Sequence, residues 1–179
     1  MDLQARTAEQ YEFLDAGDGA RLERFGDHLL HRPAPAALWP RERPDLWPSA
    51  AGVYHRASSG GGHWTFPRAL PESWPVAWDD LVFRVKPTGF GHVGLFPEHT
   101  CHWDWVRREA ARCRETGRVL NLFAYTGGLT LVAARAGAEV CHVDAVRDVN
   151  AWARGNAASS GLGGAAIRWS ACFSTLRFR

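Results

Sequence analysis

The chain has 179 residues, of which 46% are hydrophobic, and a formal charge of +2 at pH 7. That is an ordinary globular composition, with room for one domain or for a small domain joined to a larger one. A charge so near balance gives no bulk signal for nucleic acid, so any RNA contact has to rest on a local patch. Four cysteines, Cys101, Cys113, Cys141 and Cys172, make no Cys-x-x-Cys pair and no metal-like cluster with histidines, which argues against a metal and suits a reducing cytoplasm. No stretch approaches the roughly 20 apolar residues of a membrane span. Met1-Asp2-Leu3-Gln4 lacks both a basic leader and an apolar core. The expectation is a cytoplasmic protein without a membrane anchor.

In chain order, residues 1–85 read as a mostly antiparallel β domain. Tyr11 to Pro33 looks like a hairpin unit: Asp15-Ala16-Gly17-Asp18-Gly19 is a turn cluster, Ala20 to Phe25 alternates as a strand, and Gly26-Asp27 turns the chain into His28 to Arg32. Ala34 to Ser49 is too irregular for either period and carries Trp39 and Trp47, which either pack on their own domain or stack bases. Val53 to Ala57 and His63 to Phe66 flank Ser58-Ser59-Gly60-Gly61-Gly62 as a second hairpin. Pro71-Glu72-Ser73-Trp74-Pro75 is a break, after which Val76 to Trp78 and Leu81 to Val85 flank Asp79-Asp80 as a third. This domain either adds substrate contacts or caps the rest.

Residues 86–179 change period. Lys86 to His99 is a glycine-containing bridge; Lys86 and the nearby Arg84 either touch substrate phosphate or end a solvated strand, and a helix follows from about His99 to Thr116. Val119 to Phe123 reads as a parallel strand buried on both faces. Thr126-Gly127-Gly128 then makes a tight turn that opens a helix, so that free N–H groups and an unobstructed backbone face one spot. Leu129 to Ala136 carries the helix, Gly137 stops it, and Glu139 to Val143 returns as the next parallel strand, with Asp144 at its carboxyl end. A carboxylate there can accept both hydroxyls of a ribose, although Asp144 could also cap the helix that begins at Val146. Val146 to Ser160 is that helix, and Ala165 to Trp169 is a third parallel strand with an open edge.

These residues resemble a known family. Leu120-Asn121-Leu122-Phe123-Ala124-Tyr125-Thr126-Gly127-Gly128, then Gly137-Ala138-Glu139-Val140 and His142-Val143-Asp144, are similar to the first two motifs of class I S-adenosylmethionine-dependent methyltransferases. The Asn-x-Phe-x-Tyr-Thr-Gly signature resembles the bacterial large-subunit ribosomal RNA methyltransferase group. Trp152-Ala153-Arg154-Gly155-Asn156 matches the family's following helix, and Lys86-Pro87-Thr88-Gly89-Phe90 with Gly94-Leu95-Phe96-Pro97-Glu98 matches its pre-strand segment. The resemblance runs from about Tyr11 to Trp169 and is strongest after Lys86.

The resemblance implies an N-terminal antiparallel β region followed by the first half of a Rossmann-like sheet. It implies an S-adenosylmethionine donor held by Phe96, Glu98, Asn121, Ala124, Tyr125, Thr126, Gly127, Asp144, Ala145 and Asn156, with Tyr125 and Thr126 at the amino-acid end of the donor. Glu98-His99-Thr100 departs from the Asp-x-Arg that some relatives carry, and Glu98 could instead complement the dipole of the helix it opens. RNA is the implied acceptor.

The family's catalytic motif, placed after a fourth strand, is missing, and Cys172 has no matching neighbours. Ser170 to Arg179 contains no Asp or Glu, so the expectation is the front half of a methyltransferase whose tail was altered by a frameshift or a wrong stop. Two further readings stand beside it. One is a non-catalytic remnant or interaction module that self-associates through the open edge. The other is an NAD-dependent oxidoreductase, against which the turn offers only Gly127 and Gly128 where a pyrophosphate clamp uses three spaced glycines.

Overall fold

The structure is a computed structural model and describes residues 10–58, 60–112 and 117–171. Cys113 with the expected end of its helix, and the tail from Cys172, lie outside the described residues. The described residues form two compact units, one from 10–79 with 85–93, the other from 80–84 with 94–171.

In the first unit Tyr11–Gly17 (β1), Ala20–Phe25 (β2), His28–Pro33 (β3), Gly52–Arg56 (β4) and Gly62–Thr65 (β5) form one sheet in that order. Neighbours are antiparallel except β3 and β4, which run parallel with Leu30 beside Gly52. The β1–β2 turn is narrower than the turn cluster predicts. Only Asp18 and Gly19 form it, with φ of 51° and 75°, the two left-handed positions of a type I′ hairpin. Asp15, Ala16 and Gly17 continue the strand because a bulge at Leu14 sets both Leu14 and Asp15 against the partner step from Glu23 to Leu22. The bulge re-aims Asp15 inward.

One face of this sheet buries Ala20, Leu22, Trp47 and Ala50 against Leu14, Leu29, Leu46 and Val53. Trp47 stands on a short 3₁₀ turn, Pro44–Ser49, and its indole N–H donates to Asp15 Oδ2 at 2.7 Å. Trp39 is half exposed, yet its indole N–H is also bound within the domain, to the Ala16 carbonyl. Trp74 and Pro75, read from the sequence as a break, begin the strand Trp74–Trp78 (β6). Trp74 is buried with its N–H on the Phe25 carbonyl, and Pro75 is exposed, where its missing N–H breaks no ladder.

The second unit holds Leu81–Val85 (β7) as far as Arg84, a 3₁₀ turn Pro97–His102 running into Trp103–Arg112 (α1), and then Arg118–Leu122 (β8), Gly128–Arg135 (α2), Glu139–Val143 (β9), Arg147–Ser159 (α3) and Ile167–Ser170 (β10). The last three strands make a parallel sheet in the order β10-β9-β8. With the mostly antiparallel first unit this is the mixed α/β architecture that the sequence predicts. α2 is apolar nearly all round because it is enclosed: Ala133 and Ala134 pack with Ala110 of α1 and Val140 of β9. Gly137, with φ of 95°, ends it, and the Ala138 N–H closes on the Ala133 carbonyl.

β8 departs from the sequence reading. Leu120 and Leu122 are 39% and 43% exposed and Phe123 is 79% exposed, so the strand is not buried on both faces. Val119 packs on the side of α2, and among the described residues no helix covers the side that carries Leu120 and Leu122.

Asp15 is a carboxylate of the first unit held by three N–H groups. Burial alone would raise its pKa, but N–H groups of Trp47, Arg43 and Glu42 outweigh that and hold it below the ordinary range. Asp15→Ala would strand the buried indole N–H of Trp47 and release two part-buried backbone N–H groups, and a loss of about 2 kcal/mol is expected from the urea unfolding midpoint.

Candidate functional site

β8 delivers the chain into a turn, residues 123–127, in which Phe123 (φ 54°), Tyr125 (φ 51°) and Gly127 (φ 94°) are all left-handed. For a non-glycine residue that region costs on the order of 1–3 kcal/mol, so the surroundings must hold it. Three contacts do so. The Tyr125 N–H donates to Asp144 Oδ2 at 2.9 Å, the Thr126 hydroxyl to the Gly94 carbonyl at 2.6 Å, and Asn156 Nδ2 to the Thr126 carbonyl at 3.0 Å. Inside the turn, Ala124 donates to the Val143 carbonyl and Gly127 to the Ala124 carbonyl.

Asp144 stands at the carboxyl end of β9, as its place in the sequence predicts. Its Oδ1 accepts the Val146 N–H at 3.0 Å and its carbonyl accepts Asn150 Nδ2 at 2.8 Å. The carboxylate therefore steadies the start of α3 and ties it to the turn. Each of its oxygens still has a lone pair for a further donor.

α3 locks the same place from the other side. Trp152, Asn156 and Ser160 recur every fourth residue and so share one face. Trp152 Nε1 donates to the Arg84 carbonyl at 2.7 Å, Asn156 Oδ1 accepts the Arg84 N–H at 2.9 Å, and Ser160 Oγ accepts the Val82 N–H at 2.9 Å. A row of helix side chains thus stands in for a strand along this edge of β7. The rings of Phe96 and Tyr125 lie 5.0 Å apart, and Tyr125 and Trp152 lie 6.3 Å apart. Gly94 (φ 95°) passes so close that a Cβ there would stand 2.1 Å from the Trp152 ring.

Of the residues singled out from the sequence, Phe96, Ala124, Tyr125, Thr126, Gly127, Asp144 and Asn156 meet here. Asn156 is fully buried, and both ends of its amide hold backbone. The Thr126 hydroxyl is likewise committed to Gly94. Ala145 follows Asp144 and is exposed. Glu98 is exposed in the first turn of Pro97–His102, the helix end that favours a carboxylate. Asn121 turns the other way, its amide donating to Thr130 Oγ1 on α2 at 2.9 Å. Trp152, Gly94 and Asn150 also build the site without having been assigned a part in it. The four-residue spacing of Trp152 from Asn156 was the available signal.

The Asn121 bond continues inward, because Thr130 Oγ1 lies 2.9 Å from His142 Nδ1. Asn121, Thr130 and His142 thus form one hydrogen-bonded row from the strand through α2 to β9. Burial pushes the His142 pKa from the ordinary 6.5 down to about 4, with Asp144 and Asn150 opposing the shift and Arg154 reinforcing it. A depressed histidine contributes no penalty above pH 6.5, where folded and unfolded chains both hold it neutral. Between pH 6.5 and 4 the unfolded chain takes up a proton that the folded chain refuses, and stability falls by up to about 3 kcal/mol. His142→Asn is expected to remove that part of the acid limb in denaturant melts run across this pH range.

Among the described residues no helix is long and apolar enough to cross a membrane, and no group of three His, Cys, Asp or Glu could hold a metal ion. No protein-family profile matches the chain. Over 83 residues, 46% of its length, it is 40% identical to the ribosomal RNA large subunit methyltransferase K/L of Shewanella baltica, and it spans 11% of that protein. The SAM-dependent methyltransferase of Agrobacterium tumefaciens is similar in structure with a TM-score of 0.87 at 41% identity, over 92% of this chain and 53% of that one. The Pyrococcus abyssi tRNA (uracil-54, C5)-methyltransferase, solved with S-adenosyl-L-homocysteine, shares the fold at 15% identity and a TM-score of 0.52, over 89% of this chain and 41% of its own. The chain is thus related to S-adenosylmethionine-dependent methyltransferases, the bacterial large-subunit ribosomal RNA enzymes among them, and spans about half the length of the solved Agrobacterium relative.

Proposed function

We propose that this chain is the donor-binding part of an S-adenosylmethionine-dependent methyltransferase that acts on RNA. The observation that carries the reading is Asp144: a carboxylate at the end of β9, bonded to the N–H of a left-handed Tyr125, with spare acceptor capacity beside the opening of α2. The residues fit the donor. Asp144 would accept the ribose hydroxyls, the first N–H groups of α2 and the turn backbone would face the amino-acid end, and Phe96 and Tyr125 would give flat apolar surface to the adenosine. Thr126 and Asn156 would act by fixing the turn, since their polar atoms already bind Gly94, Arg84 and Thr126 backbone. Bound S-adenosylmethionine would supply an electrophilic methyl group on a sulfonium. Excluding water and aligning the acceptor would fall to the protein.

The test is a thermal melt of the 179-residue chain with S-adenosylhomocysteine, with NAD as control. At about 100 times its dissociation constant the ligand adds roughly 2.7 kcal/mol to the folded state, so the midpoint is expected to rise with S-adenosylhomocysteine alone and the rise to shrink in Asp144→Asn. A melt indifferent to it, or one that responds to NAD instead, overturns the reading.

A second reading, a self-associating interaction module, draws on the exposed Leu120, Leu122 and Phe123. Among the described residues β10 ends its sheet, as the sequence suggests of residues 165–169, while the large exposed apolar side chains lie on and just after β8 at the other edge. Sedimentation velocity is expected to show dimers or larger species that Leu120→Lys with Leu122→Glu returns to monomer. A monomer at every concentration sets this reading aside.

A further inference from the structure

The face of the first sheet opposite Trp47 carries an unusual set of like charges. Arg21 on β2 stands directly across from Arg32 on β3, a pairing that repels. One carboxylate, the fully buried Glu23, serves both: Arg32 Nη2 lies 2.7 Å and Arg21 Nε 3.1 Å from its Oε2. One positive charge is left over. Arg56, exposed at the end of the neighbouring β4, adds a second, and the three arginines line a single cleft of about 280 Å³ together with Tyr54, Phe90 and His92.

The rim of this cleft is built to stay in place. The loop from Lys86 to Val93 closes on itself through Lys86 N–H to the Val93 carbonyl and Thr88 N–H to the His92 carbonyl. Three side chains of the sheet then bind its carbonyls: Trp64 Nε1 to Thr88 at 2.8 Å, the Tyr54 hydroxyl to Gly89 at 2.8 Å, and Arg32 Nη1 to Gly91 at 3.2 Å. Gly91 (φ 78°) lies flat on the Tyr54 ring, where a Cβ would come within 2.9 Å. At the tip of this anchored loop Phe90 is 76% exposed. A large apolar ring held out into water by fixed backbone, beside uncompensated guanidinium charge, is the combination that a base and its phosphate complement.

We propose that this cleft binds one nucleotide of single-stranded RNA, its base stacked on Phe90 and its phosphate on Arg56 and Arg21. The volume lies just below the roughly 300–1,000 Å³ of small-ligand sites, a size for one nucleotide and not for a duplex. The inference deepens the reading of the chain as RNA-directed and rests on it for the choice of nucleic acid.

The test is fluorescence anisotropy of a labelled twelve-nucleotide single-stranded RNA against the full chain, titrated at several salt concentrations, with an RNA duplex of equal length as comparison. Both probed side chains are exposed, so Phe90→Ala and Arg56→Gln are expected to melt as the parent does. Phe90→Ala is expected to weaken single-strand binding about tenfold at every salt concentration. Arg56→Gln is expected to flatten the plot of log affinity against log salt by about 0.7, the loss of one phosphate contact. Absence of single-strand binding, binding that neither variant weakens, or a duplex that binds as tightly as the single strand would each overturn the proposal. The S-adenosylhomocysteine melt on the same samples separates the two readings. If Phe90 and Arg56 govern RNA binding while no sample responds to S-adenosylhomocysteine, the nucleotide cleft stands and the donor site falls. The reverse pattern removes the cleft alone.

Discussion

The buried amide of Asn156 joins the parts of the second unit that would otherwise have no reason to meet. Its oxygen takes the N–H of Arg84 on β7, and its nitrogen gives a proton to the carbonyl of Thr126 in the turn. An amide offers a donor and an acceptor on two separate atoms, so one side chain can hold two backbone groups at once. Because a buried backbone group without a partner is costly, neither β7 nor the turn can sit in place unless α3 presents this residue. Trp152 and Ser160 extend the same face, and Asp144 completes the enclosure from β9. The site is therefore a property of the helix's side-chain row as much as of the glycine turn that announces it.

This explains which parts were legible in the sequence. The strand, turn, helix, strand, acid order was readable because each step is local: Thr126-Gly127-Gly128 opens α2, Gly137 closes it, and Asp144 ends β9. The partner of Asn121 was not legible, because Thr130 lies in the first turn of the following helix and only folding brings the two together. The burial of Val119 to Phe123 misled for a related reason. An apolar run records how a strand is covered in its full setting, and here one face of β8 has no cover among the described residues. In the first unit the cluster Asp15 to Gly19 looked like a five-residue turn because four of its five members favour turns, but the bulge at Leu14 gave Asp15 a buried task on Trp47 and left the turning to Asp18 and Gly19.

The two units manage buried charge differently. In the second, His142 is kept neutral, bonded through Thr130 to Asn121. In the first, Glu23 stays flanked by two guanidiniums and also accepts the Tyr11 hydroxyl. A carboxylate so supplied is fully satisfied, but two arginines that share it are not fully neutralised. Replacing the set with hydrophobic residues of similar volume would often be no less stable, so the arrangement is better explained by what it presents to the cleft than by what it adds to the fold.

The side-chain row of α3 also makes part of β7 a clock for the helix. The N–H groups of Val82 and Arg84 are covered by Ser160 and Asn156, so these two protons can exchange with solvent only when α3 lifts away. Their exchange rates measure the opening of one helix and not the fraying of a strand. In a mixture of free and liganded protein, slowing confined to those two amides would register closure around the turn even where no atom of the ligand touches β7.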